Sequence, residues 1–378
     1  MNRRAFLKGA GAAIVISGIP TAVWMNTRTP HKALEPWKQA AIGFGDARID
    51  ALAYALLAPN PHNRQPWEVK LVGDDTIDLH CRLDRRLPYT DPYDRQILIG
   101  LGCFTELLVV AAASKGYQCN VTPFPDGEPH PRLDGRCVAR FTLRKGTPKT
   151  DPLFNHVFER RSIKETFDAT KKVSQAQLDE LVSSEPSAAG TVNPSQTGRI
   201  NQMAYDAMKI EFLTPRTLRE STDLMRFGKA QIEAQPDGID IGGAGMELLH
   251  KVGLLTRDNF SDAEGAMVKD YLASLEPRYT STVGYLWQTT PGNTRAEQFQ
   301  VGREYVRLNL KATQMGLSMH PVSQILQEYP EMDTLYAQMH DAVGVSQPAR
   351  LQMLARIGYG PKVAETPRWP VETILSQV

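Results

Sequence analysis

Two stretches far apart in this chain are bounded alike. Gly102 and Gly116 enclose a Leu- and Ala-rich run, and Gly302 and Gly316 enclose another of the same length. Inside them Leu108 matches Leu308 and Ala112 matches Ala312. Each run leads into an extended segment, and each half of the chain ends in a strand-like run, Ala139–Leu143 and Met353–Ile357. A repeated order of elements is the mark of a duplicated unit, and the matches suggest a diverged internal duplication. In the first copy, Asp94 to Lys115 reads as a helix and is almost continuously apolar from Ile97 to Ala113. An apolar surface on all sides makes a buried core helix. Asp50–Leu57 reads as a shorter helix, ended at Ala58-Pro59 because proline excludes the helical conformation from the residue before it. Glu68–Val72 and Thr76–Cys81 read as strands joined at Gly73-Asp74-Asp75, and Cys137–Leu143 alternates as a strand does.

At 378 residues the chain has room for two units. The divisions expected are a leader and Pro-containing linker over 1–35, a first half over 36–150 and a second over 151–378. Within the second, 209–292 stands out as a lid-like insertion with Pro-Asp-Gly, Gly-Gly and Pro-Gly breaks and helical pieces near Met246–Leu255 and Ala263–Leu275. A net charge of +1 supplies no field to steer nucleic acid or acidic membranes. The cysteines Cys81, Cys103, Cys119 and Cys137 form no CxxC pair and have no His at ligand spacing, so no metal site is expected; buried thiols are the first reading and a disulfide the second. Arg3-Arg4-Ala5-Phe6-Leu7-Lys8 precedes a short Gly- and Ala-rich apolar stretch. A basic start before a short apolar run is a secretory pattern, and the paired arginines resemble a twin-arginine export signal. That reading makes the twin-arginine translocase a partner and the periplasm the destination. The want of a clean small-x-small cleavage site extends it to retention at the inner membrane.

No GxGxxG, GxxxxGK[ST] or GxSxG spacing occurs. Three other clusters carry chemistry. Ala58 to Trp67 is a proline-stiffened loop bearing Asn60, His62, Asn63 and Gln65, able to offer hydrogen bonds from a preordered frame; its alternative is a structural loop anchored by Trp67. Glu159-Arg160-Arg161-Ser162-Ile163-Lys164 places three cations and a hydroxyl together, a set suited to phosphate; its alternative is a solvated face. Met319 to Gln324 follows the second core helix, with Arg356 on a strand further on, and its alternative is a turn with a paired structural arginine.

Together these clusters resemble the nitroreductase family over about residues 45 to 365, and more closely its Acg-like branch, in which two fused nitroreductase folds imitate a homodimer. The resemblance implies a tandem α+β fold of antiparallel or mixed sheets flanked by helices, an intrachain pseudo-dimer that binds FMN. It assigns Arg160, Ser162 and Lys164 to the phosphate, ribityl and pyrimidine edge. It further assigns Pro59, Asn60 and Asn63 to the loop completing the site, Pro321, Ser323 and Gln324 to the segment passing flavin N5, and Arg356 to a cation near the phosphate. Ser323-Gln324 departs from the Glu-Gly that many members carry there. The loop cluster occurs only in the first half and the basic cluster only in the second, which implies one composite site per chain and a monomer. The function implied is an FMN-dependent oxidoreductase acting on a small organic acceptor, with an electron donor unnamed. A flavin store closed by the insertion, and a structural protein with a vestigial site, are the alternatives.

Overall fold

The computed structural model describes residues 27–376. Arg3, Arg4 and the export reading built on them lie outside the described residues. Helix α1 (His31–Ile42) occupies ground expected to be linker. Ala33, Pro36, Trp37 and Ala40 fall on one face and are buried, so an amphipathic stripe outweighs the single ladder bond that Pro36 removes.

The first unit runs α2 (Ala47–Ala55), β1 (Trp67–Val72), β2 (Thr76–Cys81), α3 (Arg95–Ser114), β3 (Tyr117–Pro123) and β4 (Cys137–Lys145). Asp46 caps α2 by accepting the Arg48 N–H. The sheet is antiparallel, in the order β1-β2-β4-β3.

The second unit begins with α4 (Gln175–Val182), started by a Ser174/Gln177 capping box, and β5 (Ala188–Thr191). An excursion follows: α5 (Pro194–Leu213), α6 (Pro215–Asp223), β6 (Met225–Phe227), α7 (Gly228–Ala234), β7 (Ile239–Ile241), α8 (Ala244–Lys251), α9 (Arg257–Ser261) and α10 (Ala266–Thr280). The unit resumes with β8 (Gly284–Thr290), α11 (Arg295–Gln314), β9 (Ser318–Pro321), α12 (Asp333–Ala342) and β10 (Arg350–Gly358), and the chain's last helix is α13 (Val371–Ile374). Its sheet is again antiparallel, in the order β5-β8-β10-β9. Strand for strand the two sheets have the same connectivity. The excursion occupies the hairpin turn that is only Gly73-Asp74-Asp75 in the first unit: Val72 pairs with Thr76 there, and Thr191 with Tyr285 here. It therefore starts with α5, earlier than composition suggested, because α5 is an ordinary Pro-started helix capped by Asn193 and carries no breaker to announce it.

The matched glycines explain themselves in three dimensions. Helices α3 and α11 cross at Gly102 and Gly302. A Cβ on Gly102 would lie 2.2 Å from the Phe299 carbonyl oxygen, and one on Gly302 would lie 2.1 Å from that of Ile99. Only glycine permits that approach. Gly116 and Gly316, with φ of +80° and +70°, turn the chain out of each helix in the left-handed conformation. Length and apolarity would let α3 span a membrane, but it is buried along most of its course as the core helix expected.

Candidate functional site

A cleft with a water-accessible volume of about 290 Å³ opens beside this crossing. Helix α3 contributes Ile99, Gly100 and Cys103 to its lining, and α11 contributes Tyr305. Pro59, Asn60 and Asn63 enter from the first unit, Arg160, Ser162 and Lys164 from the second, and Pro321, Ser323 and Gln324 from the segment after β9. Residues widely separated in the chain thus share one cavity.

Each wall is held by identifiable bonds. The loop bends through left-handed residues His62, Asn63 and Gln65 (φ 48°, 50° and 49°). Strain of this kind costs about 1–3 kcal/mol per residue and persists only when over-determined. Here the constraints come from afar. Gln65 Nε2 donates to Pro236 O at 2.8 Å, Gln65 Oε1 accepts Trp369 N at 2.9 Å, and Arg64 pairs with the buried Asp237 carboxylate at 2.5 Å. Gly100 lets the loop sit on α3: a Cβ there would lie 3.1 Å from Asn60 Cβ and 3.3 Å from Pro61 Cδ.

On the basic wall, Arg160 is 3% exposed. One terminal nitrogen donates to Asn309 Oδ1 at 2.9 Å and the other to Leu57 O at 3.0 Å. Its Nε and that of Arg161 are buried without an acceptor, as is the Tyr305 hydroxyl. Burial, then the neighbouring Arg161, bring the Arg160 guanidinium down to about 10, so it stays charged at neutral pH. Arg368 is likewise pulled down to about 9 by burial and then Arg160. Buried cations lining a cavity are a recognition set for an oxyanion. The donors, the close-approach glycine and the rigid loop fit a flavin mononucleotide.

Two residues have other duties than the resemblance implied. Asn63 Nδ2 donates to Pro236 O and Pro367 O, each at 3.1 Å, and its Oδ1 accepts Arg368 at 2.8 Å, so its amide fastens the loop. Arg356 is fully buried and does not line the cleft. It donates to the carbonyls of Ile163 and Lys164, each at 3.2 Å, of Glu165 at 2.8 Å, and of Arg278, and it lies 4.2 Å over the Phe167 ring. A strand side chain facing a loop of bare carbonyls meets their acceptors first. Arg356 therefore shapes the backbone that carries Ser162 and Lys164. Its Nε also donates to His320 Nδ1 at 3.0 Å, which leaves the proton of His320 on Nε2. Burial, then Arg356, hold that imidazole well below its usual range. His62 is lowered to about 4 by burial, then Arg64 and Lys164. Both histidines are neutral at physiological pH.

Comparison with known proteins bears on this arrangement. A Mycobacterium tuberculosis protein named as the NAD(P)H nitroreductase acg is 25% identical over 345 residues, covering 87% of this chain and 95% of that protein. The chain is similar to the nitroreductases. A second protein of that organism named as an NAD(P)H nitroreductase is 40% identical over 75 residues, which span 20% of this chain and only 22% of the relative's own length. Among solved structures, the FMN-dependent nitroreductase NfnB from Mycobacterium smegmatis in complex with NADPH has 16% identity and a TM-score of 0.34, covering 57% of this chain and 92% of that one. No protein-family model matches the chain.

The nitroreductase-like cleft has lining residues that sequence reasoning left out. Arg368 reaches it from the C-terminal tail, which folds back over the first unit and donates from Arg368 to the carbonyls of Leu56, Leu57 and Ala58. Tyr305 was one of many polar residues in α11, and Met208, Glu211, Phe212, Asp240, Tyr271 and Arg278 come from the excursion. A polar residue inside a core helix, such as Tyr305, was the one signal available. All four cysteines are free, and Cys103, which lines the cleft, is pushed up to about 12 by burial above all. Strand pairing also gathers Asp78, His80 and Cys137 within 4.8 Å, a proximity that spacing along the chain did not suggest. Both Asp78 oxygens there accept Arg140, each at 2.7 Å.

Proposed function

We propose that the cleft binds FMN and that the protein is an oxidoreductase reducing a small organic acceptor. The observation that carries this reading is the buried basic wall. Arg160 and Arg161 line a cavity whose other faces are a rigid loop and a helix bared by Gly100. FMN, when bound, supplies the electron-transfer chemistry, and the protein supplies binding, orientation and electrostatics. Arg160, Arg161 and Lys164 would hold the phosphate, with Ser162 as an added hydroxyl donor. Arg356 fixes the strand of backbone that presents them. The Pro59–Asn60 loop and the Pro321, Ser323 and Gln324 segment would border the ring, and neutral His320 would offer Nε2–H without adding charge. The conjugate parts lie on opposite units, so the reading includes a duplicated chain, one FMN per polypeptide and a monomer.

Flavin released on denaturation, measured against protein with the mass from light scattering, should give a ratio near one for a monomer. A colourless protein, or a ratio near two, would sink this account. Reoxidation of the anaerobically reduced protein by added acceptors at catalytic rates separates a reductase from a store. Export through the twin-arginine route rests on Arg3 and Arg4. The Arg3→Lys/Arg4→Lys variant keeps both charges but loses the paired guanidiniums, and should stay in the cytoplasm with its flavin intact. Normal periplasmic levels of that variant would refute the route.

A further inference from the structure

The end of the cleft built by the excursion has the opposite electrical character from the basic wall. Glu211, in the last turn of α5, is 2% exposed and lines the cavity beside Met208, Phe212 and Tyr271. Gln327 Nε2 donates to one of its oxygens at 2.7 Å and Ser221 Oγ to the other at 3.3 Å. These groups present donors to the carboxyl, an environment shaped for a carboxylate. The like charge of Glu220 acts on it, and Arg278 lines the same cleft. A second acceptor lies beside it unsatisfied: Gln327 Oε1 is buried without a hydrogen-bond partner. A buried acceptor left without a donor costs about 1–3 kcal/mol, and aromatic faces next to a carboxylate favour a positive charge.

We propose that this end of the cleft is the acceptor subsite and that it takes a planar ligand bearing a cationic, N–H-rich group, an aromatic amidine or amine, paired with Glu211 and Gln327 Oε1. The inference rests on the flavin reading only for the word acceptor; the subsite itself is made by the protein. Burial, opposed by Gln327 and then Ser221, pushes Glu211 up to about 7, so the carboxylate that the ligand needs is present above neutrality and lost below it. The titratable and charged groups around it are Glu220 on α6, Tyr271, Arg278 and Tyr279 on α10, and Tyr329 after β9. Glu220 is the other carboxylate among them.

The test is calorimetric binding of three ligands of one shape, benzamidine, benzamide and benzoate, to the full chain as purified. Benzamidine should bind at least tenfold tighter than benzamide at pH 8, and weaken about tenfold from pH 8 to pH 6, while benzamide stays level. Benzoate should be the weakest. Glu211→Gln should abolish both the preference and the pH dependence, Glu211→Asp should restore the preference, and Glu220→Gln should leave it. Equal binding of benzamidine and benzamide at pH 8, or a cation preference surviving in Glu211→Gln, would overturn the proposal. Flavin content is measured on each sample: a coloured protein without cation preference removes the subsite alone, whereas a colourless protein with that preference removes the cofactor and leaves the subsite.

Discussion

The two sides of the α3–α11 crossing are built from matching positions and differ in character. On one side Ile99, Gly100 and Cys103 line an open cleft. On the other the corresponding residues are Phe299, Gln300 and Arg303. Phe124 lies against Phe299 with ring centroids 5.8 Å apart. Arg303 binds Glu106 at 2.8 Å, and Arg307 joins Glu106, Asp151 and Glu185 at 3.0, 2.7 and 2.8 Å. The second cavity is thus packed with a ring and knit with charges. The connector between α4 and β5 is only 183–187, against 56–66 between α2 and β1, so no loop is long enough to form a wall there. A repeated scaffold need not carry repeated sites: each half here holds what the other lacks, and the packed side serves cohesion.

Four substitutions probe that contrast. The largest effect is expected at the shared centre. Gly302→Val places a methylated Cβ where 2.1 Å separates it from the Ile99 oxygen, and the helices must part. We expect about 3 kcal/mol or more of destabilisation and loss of flavin together; a variant with unchanged melting temperature would show that the helices do not meet in this way. Next, Arg160→Ala removes a charge-assisted contact worth about 1.5–3 kcal/mol. It should weaken FMN roughly 10- to 150-fold more than riboflavin, and equal losses for the two ligands would reassign Arg160 to the fold. The smallest effects come from exchanging the matched pair. Gly100→Gln should lower flavin content at least tenfold by displacing Asn60 and Pro61. Gln300→Gly should cost about 1 kcal/mol of helix stability and leave flavin unchanged. If both variants lost flavin equally, the two sides would not differ as described.

Much of this fold follows from local pattern. β2 and β1 fall on or within one residue of where alternation and turn residues put them, and α3 begins and ends within a residue of its expected span. These elements have strong periodicity and clear stops. The excursion was harder to delimit, because α5 opens with no shift in composition. In the cleft, Arg160, Ser162, Lys164, Pro59, Asn60, Asn63, Pro321, Ser323 and Gln324 do share one cavity. Arg356 does not, since a charge on a buried strand goes wherever carbonyls are nearest.

By itself, the sequence determined the elements, their repetition and the chemical type of each cluster, because propensity, periodicity and charge are properties of neighbouring residues. It could not determine which side of the crossing stays open. That was decided by contacts between residues far apart in the chain: Phe124 against Phe299, Arg368 reaching the carbonyls of Leu56 to Ala58, and Glu211 carried from the excursion to Gln327. Burial strips water from Glu211, Arg160 and His320 until the groups around each one set its charge, and burial exists only once the chain has folded.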